Sequence, residues 1–226
     1  FTKVEMIELT TGFMDSEEGQ AYQLLSNKIQ TIKDSLYNVE SVAITEELCF
    51  YDSFEVPKNA LFLYTSRYGQ LFEHYDLYAF DSKEIEQIDQ GMADKEVVNI
   101  GFYSDRDSTA WAQEKEAIKT FINCKYLFLA RLEQADASTE IAGEYFTGGE
   151  VIGTLEVFDL EDLKLIDTSI LSAGNSFQVR LSENHNAVED AAFDNLIENL
   201  NNEIGAIIFE NYQVHKMAPY LKYEKR

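Results

Sequence analysis

Proline is nearly missing from this chain, with Pro57 and Pro219 alone among 226 residues. No Pro- or Gly-rich linker breaks it, and no internal repeat stands out. Cysteine is as scarce, with only Cys49 and Cys124. That excludes a disulfide framework and any C-x-x-C metal or redox motif. The pair could form one bridge only where the fold brings the Cα atoms within about 7 Å. Cys124 directly precedes an apolar run, so a buried free thiol is the expected state. Positive charge is also short: 18 Lys and Arg stand against 41 Asp and Glu, a net charge of −23. So acidic a chain argues against nucleic acid or an anionic membrane surface as partner, since both select basic faces. It suits solubility, cations or a basic protein surface. No apolar run approaches ~18 residues, so no transmembrane helix is expected. The first residue is Phe1 rather than Met, which leads us to expect a processed start from which a signal peptide or a lipidated Cys was removed.

What the chain does have is a core-forming composition, 45% hydrophobic, enough for a folded domain. Val4–Leu9 reads as a weak first strand. Asp15 stands three residues before Glu18 in a capping-box arrangement. Ala21, Leu24, Leu25, Ile29, Ile32 and Leu36 then give one apolar helical face, and Ser41–Ile44 follows as a short strand. Glu46–Gln90 is irregular and aromatic. Leu61–Thr65 and Tyr75–Phe80 are its strand candidates, and Gly91 its stop. Glu96–Tyr103 reads as a strand and Asp107 or Ser108 as the cap of a helix to Ile122. Lys125–Leu132 is apolar except at its ends, as in a central strand buried on both faces.

Glu133–Glu150 reads as a loop. Val151–Asp159 and Lys164–Ala173 alternate and should pair as a hairpin around Leu160–Leu163, in a four- or five-residue turn since no Asn-Gly or Asp-Gly is present. Asn175–Leu181 extends the sheet beyond Gly174. Val188–Phe209 repeats Val188, Ala192, Leu196, Leu200, Ile204 and Ile208 at fours, an apolar stripe that must pack on a sheet. Tyr220–Tyr223 is a tail or an edge strand. The fold class is therefore α/β (α+β): a mixed β-sheet with helices packed on it, and a C-terminal β-hairpin followed by a long amphipathic helix. It forms a single domain over 1–226 or two closely packed lobes, 1–91 and 92–226.

The closing block KYLFLARL, GTLEVFDLEDLKLIDTSI and LIENLNNEIGAIIF resembles the α/β domain of curli-secretion CsgG-type lipoproteins and of the N-terminal domain of TolB-type periplasmic proteins. The resemblance covers about the last 90 residues. It implies a role in assembly or protein contact in the cell envelope, and carries over no catalytic residues.

Among chemical motifs, Asp105-Arg106-Asp107-Ser108-Thr109 after a strand matches the D-x-D-x-T of haloacid-dehalogenase-like phosphatases, with Asp105 as nucleophile, Asp107 as acid/base and a carboxylate on Mg²⁺. The competing reading is a helix cap. His74, His185 and His215 are scattered, with no metal spacing. Gly148-Gly149 lacks the rest of a phosphate loop, and no G-x-S-x-G, H-E-x-x-H or EF-hand loop appears. No cofactor is expected. The first functional expectation is a non-enzymatic exported protein, periplasmic or lipoprotein-type, serving interaction or assembly. Its contact residues would be Tyr64, Tyr68, Phe72, Tyr75 and Tyr78 on the aromatic stretch, or Leu160 and Leu163 at the hairpin tip. The alternatives are the Mg²⁺-dependent phosphatase on Asp105 and Asp107, and an acidic structural subunit binding a basic protein partner.

Overall fold

The computed structural model describes residues 11–50, 57–66, 119, 122–142, 145–176 and 188–216. Strands β2 (Ala60–Ser66), β3 (Tyr126–Ala142), β4 (Tyr145–Asp159) and β5 (Lys164–Gly174) form one mixed sheet in the order β2-β3-β4-β5. β2 runs parallel to β3, and β3, β4 and β5 are antiparallel neighbours. Helix α1 (Glu17–Asp34) covers one face, packing Tyr22, Leu25, Ile29 and Ile32 on Leu61, Leu63, Leu127 and Leu129. Helix α2 (Val188–Asn211) covers the other, with Leu196, Leu200, Ile204 and Ile208 over Phe62, Phe128, Leu155 and Val157. Two further strands, β1 (Leu48–Cys49) and β6 (Val214–Lys216), pair parallel with Leu48 opposite Val214. The chain has an α/β fold, with β3 buried on both faces as its continuous apolar run requires.

Several elements differ from the sequence expectation. Ser16, not Asp15, caps α1; its hydroxyl oxygen accepts from the Gly19 amide at 3.2 Å. The helix stops at Asp34 because Ser35 is extended (φ −119, ψ 159). Leu36 therefore falls outside the helix, and both Leu24 and Leu36 are exposed rather than part of the buried face. Ser41–Ile44 forms no strand; just before it, Val39 makes a single parallel bridge to Leu165.

Glu133–Glu150 is the largest change. In place of the expected loop, β3 and β4 continue through it to the pair Ala142–Tyr145. The ladder needs only backbone groups and tolerates the non-alternating side chains. Register shifts at Leu132/Gln134 and Asp136/Thr139 absorb the mismatch. Gly153 is required within it, because a Cβ there would collide with the Arg131 carbonyl oxygen. Asn175 and Ser176 lie outside any strand. Val4–Leu9, Tyr75–Phe80, Glu96–Tyr103 and Tyr220–Tyr223 lie outside the described residues. Among the described residues no helix is long and apolar enough to cross a membrane.

Candidate functional site

The tip between β4 and β5 is a rigid acidic turn. The Asp159 Oδ1 accepts from the amides of Glu161 (2.7 Å) and Asp162 (3.3 Å), an Asx-type turn. Leu163 closes it with a left-handed φ of 56°. From α1, the Lys28 ammonium donates to the carbonyls of Leu160 (2.7 Å) and Glu161 (3.0 Å). Leu160 is buried and Leu163 half-buried against the α1 core. The two leucines singled out as contact residues thus face the protein interior, and the outward part of the tip is Glu161 and Asp162, both exposed. Tyr64 lies on β2 opposite Ala130. Tyr68, Phe72, Tyr75 and Tyr78, like Asp105 and Asp107, lie outside the described residues.

The outer edge of β5 is the more informative surface. Strict alternation would put Leu165, Asp167, Ser169 and Leu171 on one face. A register shift intervenes, with Val157 opposite Asp167 but Phe158 opposite Leu165. Ile166 is the extra residue of a β-bulge, and it flips the strand. Leu165 joins the α1 core, whereas Ile166, Leu171 and Ala173 join the α2 core. Below the bulge the edge is closed, because the Glu40 amide donates to the Leu165 carbonyl at 2.7 Å. Above it the parity is reversed. The Asn175 amide, one of the odd-numbered set, donates inward to the Gly149 carbonyl at 3.2 Å. By the two-residue repeat of an antiparallel ladder, the backbone groups of Thr168, Ile170 and Ser172 point outward. The Thr168 amide is taken by the Asp167 carboxylate at 2.8 Å, whose other oxygen accepts from the Tyr212 hydroxyl.

Three aliphatic residues lie exposed on the segment after α1, whose Val39 bridges Leu165 of β5. Leu36, Val39 and Val42 are 93%, 50% and 54% exposed. They recur at threes, which neither a half-buried strand nor a buried helical face would explain. Ile170, on β5 itself, is 77% exposed. A strand side chain flanked by neighbours on both sides, each within about 5 Å, could not be so bare. None of these was identified from the sequence as a contact residue. The spacing of Leu36, Val39 and Val42 past the last helical turn was the available signal.

Several basic side chains of the fold are engaged with carboxylates. Lys164 bridges Glu40 (3.4 Å) and Asp162 (3.5 Å), and the first of these, through its hydrogen bond, raises the Lys164 pKa. Lys125 bridges Glu46 at 3.2 Å. Glu46 also accepts from the Tyr126 hydroxyl at 2.9 Å, and this bond chiefly lowers its pKa. Arg131 bridges Glu156 at 3.0 Å and donates to the Lys33 carbonyl at the end of α1. His215 lies 3.6 Å from Glu47.

The two cysteines are buried beside the start of β2 and form no disulfide. Asn59 links their segments: its amide donates to the Cys49 carbonyl, and its own carbonyl accepts from Lys125. Burial pushes the Cys124 thiol up to about 12, outweighing the pull of nearby Lys58. Such a thiol is inert. We expect iodoacetamide at pH 8 to leave Cys124 unmodified in the native chain and to label it once urea unfolds the protein; stoichiometric labelling of the native state, read by intact mass, would contradict this. The folded value lies above the ordinary 9.0, so its contribution to stability is complete below pH 9 and is lost as the pH rises towards 12.

A polar seam on α2 also escaped the sequence reading. Asn195 and Asn199, one turn apart, hold the end of β5: Asn195 accepts from the Ser176 amide (2.7 Å), and Asn199 donates to the Gly174 carbonyl (2.7 Å). Among the described residues no group of His, Cys, Asp and Glu is gathered to hold a metal ion. No protein-family model, no curated protein and no solved structure matches the chain.

Proposed function

We propose that the chain is a non-enzymatic interaction or assembly module, exported to the cell envelope, that presents an acidic and partly apolar surface to a basic protein partner. The single observation that carries this reading is the exposure of Leu36, Val39 and Val42 (93%, 50% and 54%) on the segment that meets β5 at Val39. Exposed large aliphatics on one short segment that also carries Asp34 and Glu40 are the composition of a contact patch with a charged rim. The net charge of −23 selects basic partners and speeds their approach. The envelope assignment rests on the resemblance of the closing block.

The test places a photo-crosslinking amino acid at Leu36, at Val42 and, as control, at exposed Thr31 on α1 in the protein's own cells. We expect Leu36 and Val42 to give the same adduct, identified by mass spectrometry as a basic protein. Its yield should fall about tenfold between roughly 50 mM and 500 mM salt. Adducts no stronger than at Thr31, or unaffected by salt, would overturn the reading.

A further inference from the structure

We infer that the partner binds by strand addition: an extended, basic segment of another protein pairs with the outer edge of β5 over Thr168–Ala173, with its side chains lying against Ile170. The inference rests on the interaction reading above and specifies its mode. Among the described residues, only Val39–Glu40 pairs with this side of β5, and it does so below the Ile166 bulge. Above the bulge the outward backbone groups belong to Ile170 and Ser172, and Ile170 is 77% exposed.

The stretch Thr168–Ser176 carries no charged residue and no proline. Edge strands that must stay unpaired are normally blunted by one or the other. Among the described residues such blocking is confined to the two ends of the stretch: the Asp167 carboxylate takes the Thr168 amide, and the Asn199 side chain takes the Gly174 carbonyl. Strand addition to an open edge draws affinity from main-chain hydrogen bonds and specificity from alternate side chains.

The charges decide the occupant. Near this edge the acids are Glu40, whose amide bonds Leu165, Glu150, paired with Gly174, and Glu161 and Asp162 at the tip, while Lys28 and Lys164 are tied to carbonyls or carboxylates. A second copy would bring another −23 to the contact. The open edge alone is also far short of the roughly 1,200 Å² that a stable dimer buries. A basic segment meets neither obstacle.

The experiment uses the full chain and a fluorescent ten-residue peptide of alternating Lys and Val. Two further versions carry N-methyl groups on alternate amides, one on each of the two sets. We expect the parent peptide to bind and one N-methylation pattern, but not the other, to weaken it about tenfold or more, because only one set of amides can face β5. Ile170→Pro and Ser172→Pro should each weaken binding by a similar factor. Both remove an outward amide, which an edge strand tolerates, and circular dichroism checks that each variant folds. Equal binding of both N-methylated peptides, weakened nevertheless by Leu36→Asp, would overturn strand addition and leave the interaction reading standing. Failure of the parent peptide to bind would overturn the inference, with the crosslinking result judging the reading by itself. A dimer in sedimentation that Ile170→Pro dissolves would also overturn it, naming a second copy as the occupant.

Discussion

Arg131→Met is expected to cost about 2–4 kcal/mol of stability, read as a lower urea midpoint at an unchanged m-value. Arg131 stands on β3 where three elements meet. It bridges the Glu156 carboxylate of β4 at 3.0 Å, and it donates to the carbonyls of Lys33 (2.9 Å) and Ile32 (3.3 Å). Both carbonyls end the last turn of α1, where that of Ile32 also accepts from the Ser35 amide and a cation complements the helix dipole. The side chains of Arg131 and Glu156 are 19% and 15% exposed, so truncation strands a mostly buried carboxylate. Glu156→Gln in the same background should recover part of the loss, since the stranded charge is gone. A midpoint shift no larger than that of an ordinary surface substitution, about 0.5 kcal/mol, would show that the bridge does not couple the helix to the sheet.

Phe128→Ala should be more damaging, about 3–5 kcal/mol. Phe128 is fully buried in the α2 core and meets Phe50 and Tyr212 edge to face, with centroids 5.0 Å and 5.2 Å apart. The first contact ties β3 to the segment after β1. The second ties it to the end of α2, where Tyr212 is hydrogen-bonded to Asp167. Loss of the ring should therefore also speed amide exchange at Leu48, whose amide donates to the Gln213 carbonyl at 2.7 Å. Phe128→Leu, which keeps most of the volume, should cost below about 1.5 kcal/mol. An alanine variant as stable as the leucine one would contradict the packing described.

The sequence made the scaffold legible because side-chain period reports burial. The stripe Ala192, Leu196, Leu200, Ile204 and Ile208 is buried as its spacing requires, and Lys125–Leu132 is the central strand. It was silent where backbone groups decide. The pairing of β3 with β4 beyond Gln134 has no alternating apolar side chains to announce it. The β1–β6 pair, Leu48 with Val214, joins segments far apart in sequence with no local pattern. The Ile166 bulge was invisible for a different reason. Residues on both sides of it alternate well, and only the partner strand shows that one residue is extra. That bulge turns the amides of Ile170 and Ser172 outward, so the candidate site had no signature beyond the missing charge in Thr168–Ser176.

The central claim, that the outward edge of β5 takes a basic strand, is tested most directly by residue-resolved amide exchange with and without saturating Lys–Val peptide. The bulge predicts an odd–even result: the amides of Ile170 and Ser172 should slow about tenfold or more, while those of Ser169 and Leu171, already bonded to β4, should not change. Uniform slowing along β5, or protection only around Leu36 and Val42, would contradict it.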